Sequence, residues 1–164
     1  MYGMKGIEIK MKKEYSGERF LPDECKGEMA IEHYQRYQFA KYLVENKTVL
    51  DVACGEGYGS SLLAENASKV VGMDIDKLVI AKANEKYGNS KLSFVEGNIT
   101  QIPFEDNAFD VIISYETIEH VSEKIQKIFL SEIVRVLKQD GLLVMSTPNK
   151  AIYTDLVGGK NKFH

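Results

Sequence analysis

Cysteine is scarce in this chain. Only Cys25 and Cys54 occur, too few for a disulfide scaffold, and a reducing cytoplasm is the compartment this predicts. No apolar run approaches the roughly 20 residues that cross a bilayer, and the start lacks the apolar core of a signal peptide. Positive charge is not in excess either. A formal net charge of −3 supplies no general attraction toward nucleic acid. The basic opening, Lys5, Lys10, Lys12 and Lys13, reads as a solvated terminus rather than a phosphate-binding arm. Internal repeats and low-complexity segments are lacking as well. What is present is ordinary for a soluble globular protein: 164 residues, 44% apolar and 27% charged, enough for one domain with one core.

The most informative stretch is Val49-Leu50-Asp51-Val52-Ala53-Cys54-Gly55-Glu56-Gly57-Tyr58-Gly59-Ser60. The apolar run from Thr48 to Ala53 predicts a buried parallel strand. Three glycines at alternate positions then predict a tight bend, and Ser60 to Glu65 a helix. A strand, bend and helix N-terminus in this order let backbone approach a nucleotide-like ligand closely. Two acids mark the stretch further: Asp51, four residues before the first glycine, and Asp74, at the end of the next strand. A dinucleotide fingerprint places a third glycine or alanine where Ser60 stands, which argues against a nicotinamide-dependent oxidoreductase.

Along the rest of the chain, residues 1–27 hold Gly3, Gly6, Gly17, Pro22 and Gly27 with little periodicity and predict an irregular lead-in. Residues 28–164 read as a single core. Glu28 to Glu45 predicts a helix with Ile31, Tyr34, Tyr42 and Leu43 among its apolar positions. Lys69 to Met73 is a second strand. Asp76 caps a helix carrying Val79, Ala83 and Tyr87 at four-residue spacing, and Gly88 ends it. Leu92 to Glu96 and Asp110 to Ser114 are the third and fourth strands. Ile125, Ile128, Phe129, Ile133, Val136 and Leu137 form the apolar stripe of the next helix, with Gly141 as its stop. Leu142 to Met145 is an apolar fifth strand. Strands alternating with helices predict a doubly wound, mostly parallel α/β sheet of about five strands.

Asp51 to Gly59, with Val71-Gly72-Met73-Asp74-Ile75 behind it, resembles the first two motifs of the class I S-adenosylmethionine-dependent methyltransferases. The resemblance continues through Phe94 to His120 and Gly141 to Asn149, and so covers most of the chain from about residue 28. Gly17-Glu18-Arg19-Phe20, followed by Gly27 to Tyr37, is similar to the lead-in of a bacterial methyltransferase type 11 subgroup. The resemblance implies a Rossmann-like core and S-adenosylmethionine as cofactor. It implies transfer of a methyl group to oxygen or nitrogen of a small molecule or glycan precursor.

By the same resemblance, Ala53, Gly55 and Gly57 run against the cofactor, Asp51 holds the bend or the cofactor ammonium, and Asp74 accepts the ribose diol. Ile75 and Ile99 pack on adenine. Asn98 stands where many relatives carry an aspartate toward the adenine amino group, and its amide carbonyl can accept that bond as well. Tyr115 lies at the switch point of the sheet, where ligands bind. Tyr34, Arg36 and Tyr37, on the preceding helix, are placed either to touch the cofactor or simply to pack.

Glu116-Thr117-Ile118-Glu119-His120 is the second informative stretch. On a helix, Glu116, Glu119 and His120 share one face, which suits a divalent metal or general-base work. It resembles the Glu-x-x-Glu-His of small-RNA 2′-O-methyltransferases and of some quinone-precursor O-methyltransferases. In the former these residues and a later histidine hold a metal, and His164 is the candidate here. Glu116 and His120 are thus the catalytic candidates, with Glu116, Glu119, His120 and His164 as the metal set. The bland reading is that Glu119 and His120 only cap and orient the helix.

The class I family has seven strands, and the last two are expected to be missing here, which leaves the apolar fifth strand as an edge. Such edges are rarely left bare, so a homodimer or a partner chain covering it is expected. The alternative function is a cofactor-binding module or scaffold, inactive until such a partner completes the acceptor site.

Overall fold

The computed structural model describes residues 28–149. Helix α1 (Glu28–Lys41) leads into strand β1 (Thr48–Val52). There follow α2 (Tyr58–Leu63), β2 (Lys69–Asp74), α3 (Lys77–Tyr87), β3 (Leu92–Glu96), β4 (Phe109–Tyr115), α4 (Glu123–Val136) and β5 (Leu137–Ser146). The expected doubly wound α/β fold is present. Its five strands are all parallel, in the order β3-β2-β1-β4-β5. Chain order reverses between β1 and β4, which opens a crevice beyond their carboxyl ends.

Both faces of the sheet are covered, so its central strands are apolar at nearly every position. Alternate residues feed separate cores. Val49, Val111 and Ile113 pack with Tyr37, Ala40, Leu63, Ile80 and Ala83 of α1, α2 and α3. Leu50, Val52 and Ile112 pack with Phe129, Ile133 and Val136 of α4. Each such side chain, once fully buried, contributes about 1.5–3 kcal/mol. Local signals act as anticipated in α3: the Asp76 carboxylate accepts from the N–H groups of Leu78 and Val79 at 3.0 and 3.2 Å, and Gly88 is the C-cap.

Three expectations change. Helix α1 ends at Lys41 rather than Glu45, and its inward face is Tyr37 and Ala40, with Val44 beyond it. Ile31, Tyr34 and Tyr42 are exposed by half or more. Helix α4 does not stop at Gly141. It gives way at Leu137, whose φ of −78° and ψ of 136° are extended, because Leu137 pairs with Phe109. Gly141 therefore lies inside β5, next to the register shift after which Leu142–Ser146 pair regularly with Val111–Tyr115. The third change concerns Glu116–His120. These residues are not α-helical, and only Ile118–His120 form a single 3-10 turn.

Among the described residues, β5 pairs with β4 alone and forms one edge of the sheet. No helix of the described residues is long and apolar enough to cross a membrane. The irregular lead-in expected over residues 1–27, and the tail with Gly158, Gly159 and His164, lie outside the described residues.

Candidate functional site

The bend after β1 is built from unusual backbone. Ala53, Gly55 and Gly57 have φ of 58°, 55° and 80°, a left-handed conformation that a β-carbon disfavours. Ala53 adopts it despite its side chain, a local strain of the kind concentrated at ligand sites. The bend is tied down by the Cys54 N–H on the Met73 carbonyl at 3.0 Å and the Gly57 N–H on the Cys54 carbonyl at 3.1 Å. Packing explains two of the glycines. A β-carbon on Gly57 would sit 2.5 Å from Cε1 of Phe94, and one on Gly59 would enter the Tyr37 ring. Both serve close internal packing, so any ligand contact at Gly57 comes through its backbone.

Asp51 points into the core formed with α1 and α2, and it is fully buried. Its carboxyl group accepts from the Tyr37 hydroxyl, at 3.2 and 3.3 Å to its two oxygens, and from Ser60 Oγ at 2.6 Å. Burial pushes its pKa up to about 7, the Tyr37 and Ser60 donors pull it down, and the Asp74 charge adds to the rise. Ser60, the residue that departs from the dinucleotide fingerprint, is thus a partner of Asp51. The two hydroxyl partners of Asp51 tie β1 to α1 and to the start of α2.

Asp74 stands at the mouth of the crevice. Its Oδ2 accepts the Gly55 N–H and its Oδ1 the Asp76 N–H, both at 3.0 Å. Ile75 beside it is 68% exposed, an apolar side chain standing in solvent at the strand end. Past β3, Asn98 is exposed, and its Oδ1 accepts the N–H and the hydroxyl of Thr100, each at 2.9 Å. Ile99 is half-buried and packs toward the α4-side core. Asp74, Ile75, Asn98 and Ile99 therefore follow the ends of two adjacent strands, with Gly55 against Asp74.

On the other side of the crevice, Tyr115 ends β4. Its hydroxyl donates to the Arg36 carbonyl at 3.1 Å, and its ring meets Tyr37 edge-on at 5.1 Å. Arg36 lies between Glu32 and Glu116, 3.7 Å from each, whereas Tyr34 is half-exposed. A groove of about 440 Å³ runs between α1 and β5, lined by Arg36, Phe39, Tyr115, Val144 and Ser146 among others. His33, absent from the expected site, is half-buried near Arg36 and Glu116. Burial and the Arg36 charge hold its pKa below the usual value.

The acidic stretch after β4 departs from the shared face expected of it. Glu116 has a φ of 50°, its N–H donates to the Ser146 carbonyl at 3.0 Å, and its Oε1 accepts from Ser146 Oγ at 2.7 Å. This capture by β5 takes Glu116 out of any helix. Glu119 is buried and accepts from Thr147 Oγ1 at 3.1 Å, with its pKa raised chiefly by burial. His120 faces solvent. Glu119 feels the charges of both Glu116 and His120, but among the described residues no three His, Cys, Asp or Glu gather to hold a metal. The proposed metal set thus loses its helical rationale, and His164 lies outside the described residues.

Residues 50–145 match the family model described as a methyltransferase domain. The chain belongs to this methyltransferase-domain family. A relative from Mycolicibacterium smegmatis, named as a probable S-adenosylmethionine-dependent methyltransferase, is 31% identical over 140 residues. These cover 85% of this chain and 53% of the relative. A phthiotriol/phenolphthiotriol dimycocerosates methyltransferase 1 of Mycobacterium ulcerans is 33% identical over 137 residues, 81% of this chain and 47% of its own. Among solved structures, the PH0226 protein of Pyrococcus horikoshii is similar, with a TM-score of 0.71 at 29% identity, over 84% of this chain and 66% of that one. A Haloferax volcanii protein solved in complex with the Trm112 methyltransferase activator has a TM-score of 0.64 at 25% identity, over 73% and 54% of the two chains. The chain spans about half the length of the curated relatives it matches.

Proposed function

We propose that this methyltransferase domain binds S-adenosylmethionine and transfers its methyl group to oxygen or nitrogen of a small molecule or glycan precursor. The observation that carries the reading is the pairing of Asp74, at the end of β2, with the Gly55 N–H in the bend after β1. The residues present fit an adenosyl group. A carboxylate has about four acceptor sites, so Asp74 can take ribose hydroxyls besides its backbone donors. Ile75 offers an exposed apolar side chain to the base, with Ile99 and Asn98 on the next strand end. Gly55 and Ala53 present their left-handed backbone, and Arg36 and Tyr115 border the far side. When bound, the cofactor supplies an activated methyl group on a sulfonium. The protein's task is to align the acceptor and exclude water.

On the acceptor side, Glu116 is half-buried beside Arg36 and Ser146, two residues that line the α1–β5 groove. It is better placed than the exposed His120 to take a proton from an incoming hydroxyl or amine. The relative named for phthiotriol, an alcohol by its name, supports oxygen as the acceptor atom.

A second reading rests on β5. Among the described residues its outer edge has no partner strand and is a template for one, and a neighbour in fold is solved with an activator protein. A second copy of the chain, or a partner, then completes the acceptor site of an otherwise inactive module. The cytoplasm is the compartment that goes with either reading. Titration calorimetry with S-adenosylhomocysteine and with NADH is the test, where binding of NADH alone would refute both readings. Methyl transfer to alcohol and amine acceptors, together with light scattering of the isolated chain, separates the two.

A further inference from the structure

We propose that Tyr37 is a positioning residue for the cofactor crevice: its hydroxyl, donated to the buried carboxyl group of Asp51, couples the docking of α1 to the shape of the bend after β1. The inference builds on the cofactor reading above but concerns a contact that no ligand makes.

From α1, Tyr37 touches β1, α2 and β4. Its hydroxyl reaches both Asp51 oxygens, and its ring is edge-on to Tyr58 at 5.4 Å and to Tyr115 at 5.1 Å. The same ring fills the space that Gly59 leaves in the first turn of α2. Asp51 passes the constraint on, because its Oδ2 accepts from Ser60 Oγ one residue later, three residues past the left-handed Gly57. Tyr115 closes the loop from β4 by donating to the Arg36 carbonyl, next to Tyr37 on α1. A phenylalanine and an apolar residue could fill this volume without the cost of burying a carboxyl group. What the polar pair adds is direction: two hydroxyls aimed at one carboxyl group define how α1, β1 and α2 meet.

Asp51 is also poised to change state. It is faced by Tyr37 from α1, by Tyr58 and Ser60 from α2, by Cys54 from the bend, by Asp74 from β2 and by Tyr115 from β4. Arg36 acts on Tyr58 and Tyr115. With a pKa of about 7, the carboxyl group is ionised above neutrality, where it accepts both hydroxyls. Below neutrality it is protonated and weakens as an acceptor. Cofactor affinity then rises with pH through about 7.

The test is Tyr37→Phe, which keeps the ring and removes the hydroxyl. Binding of S-adenosylhomocysteine is measured by calorimetry from pH 5.5 to 8.5, and thermal unfolding without ligand over a wider range. The unsubstituted protein should show an affinity midpoint near pH 7. Because the lost hydroxyl favoured the ionised carboxylate, the midpoint in Tyr37→Phe should move upward by about half to one pH unit. Affinity at pH 7 should fall about three- to ten-fold. The inflection of stability against pH should move the same way, and Ser60→Ala should repeat the direction of both shifts. Unmoved midpoints, or a loss of stability alone with unchanged affinity, overturn the proposal. An unsubstituted protein that binds no S-adenosylhomocysteine at any pH refutes the cofactor reading instead. The unfolding inflection, read without ligand, then still decides for or against the Tyr37–Asp51 tie.

Discussion

The carboxyl ends of β1 and β2 lie side by side, each with an aspartate, and the two aspartates do different work. Asp51 is level with Gly72 in the parallel register, so Asp74 stands on the same face of the sheet but two residues, about 6.5 Å, further along. That one pleat decides their roles. At the level of Asp51 the sheet is roofed by Tyr37 and Ser60, and the carboxyl group is enclosed and pushed up in pKa. At the level of Asp74 the neighbouring strand has already turned away at Ala53, and the carboxylate meets the backbone N–H groups of Gly55 and Asp76. Both carboxyl groups are buried, and depth along a parallel strand, more than residue type, decides whether the partners are hydroxyls of the flanking helices or backbone N–H groups at the strand end.

The roof over Asp51 is the place to break this comparison most severely. Gly59→Ala drives a methyl group into the Tyr37 ring. Overpacking of a buried helix against a fixed aromatic should cost about 3 kcal/mol or more, read as a lower urea midpoint. A drop of less than about 1 kcal/mol would mean that the roof is loose.

Asp51→Asn sharpens the contrast by removing the ionisation and keeping the shape. A folded-state pKa of about 7, above the ordinary carboxyl value of 3.8, means the folded protein holds this proton more tightly than the unfolded chain. The stability it contributes is full at low pH and is lost as pH rises from about 4 to about 7, at up to about 1.4 kcal/mol per pH unit. Asp51→Asn should flatten that slope in unfolding measured across pH. A slope that persists would place the titration on another group.

Asp74→Ala should weaken S-adenosylhomocysteine binding about ten-fold, since the ribose hydroxyls lose a charged acceptor. Equal affinity in calorimetry would misplace the ribose. The smallest effect is expected from Ile75→Ala. Its exposed side chain contributes little to the core, so stability should hold while affinity falls about three-fold through lost apolar contact. A destabilised Ile75→Ala protein would show that this side chain serves the fold instead.

Much of this architecture was readable from neighbouring residues. Asp76 and Gly88 bound α3 through contacts within four residues, and β3 spans Leu92–Glu96 as expected. The helix preceding β1 was harder. Its aromatic and aliphatic residues lie on several faces, and Tyr34 and Tyr42 look as apolar as Tyr37. Only the sheet beneath selects Tyr37, because it has Asp51 to meet there. Glu116–His120 likewise carries a spacing compatible with a helix, yet Ser146, 30 residues later, captures the Glu116 N–H and side chain. Ser60 could be recognised as a departure from one fingerprint, but nothing in its vicinity indicates a buried acid nine residues earlier.

The sequence by itself determined the alternation of strands and helices, the tight bend at the glycines and the two acids near the carboxyl ends of β1 and β2. These depend on periodicity, on φ preferences and on spacing within a few residues, all local quantities. The tertiary structure alone decided which acid is enclosed, which face of α1 turns inward and where Glu116 points. Those outcomes depend on which distant group fills the space beside a side chain, and that is settled only when the elements pack.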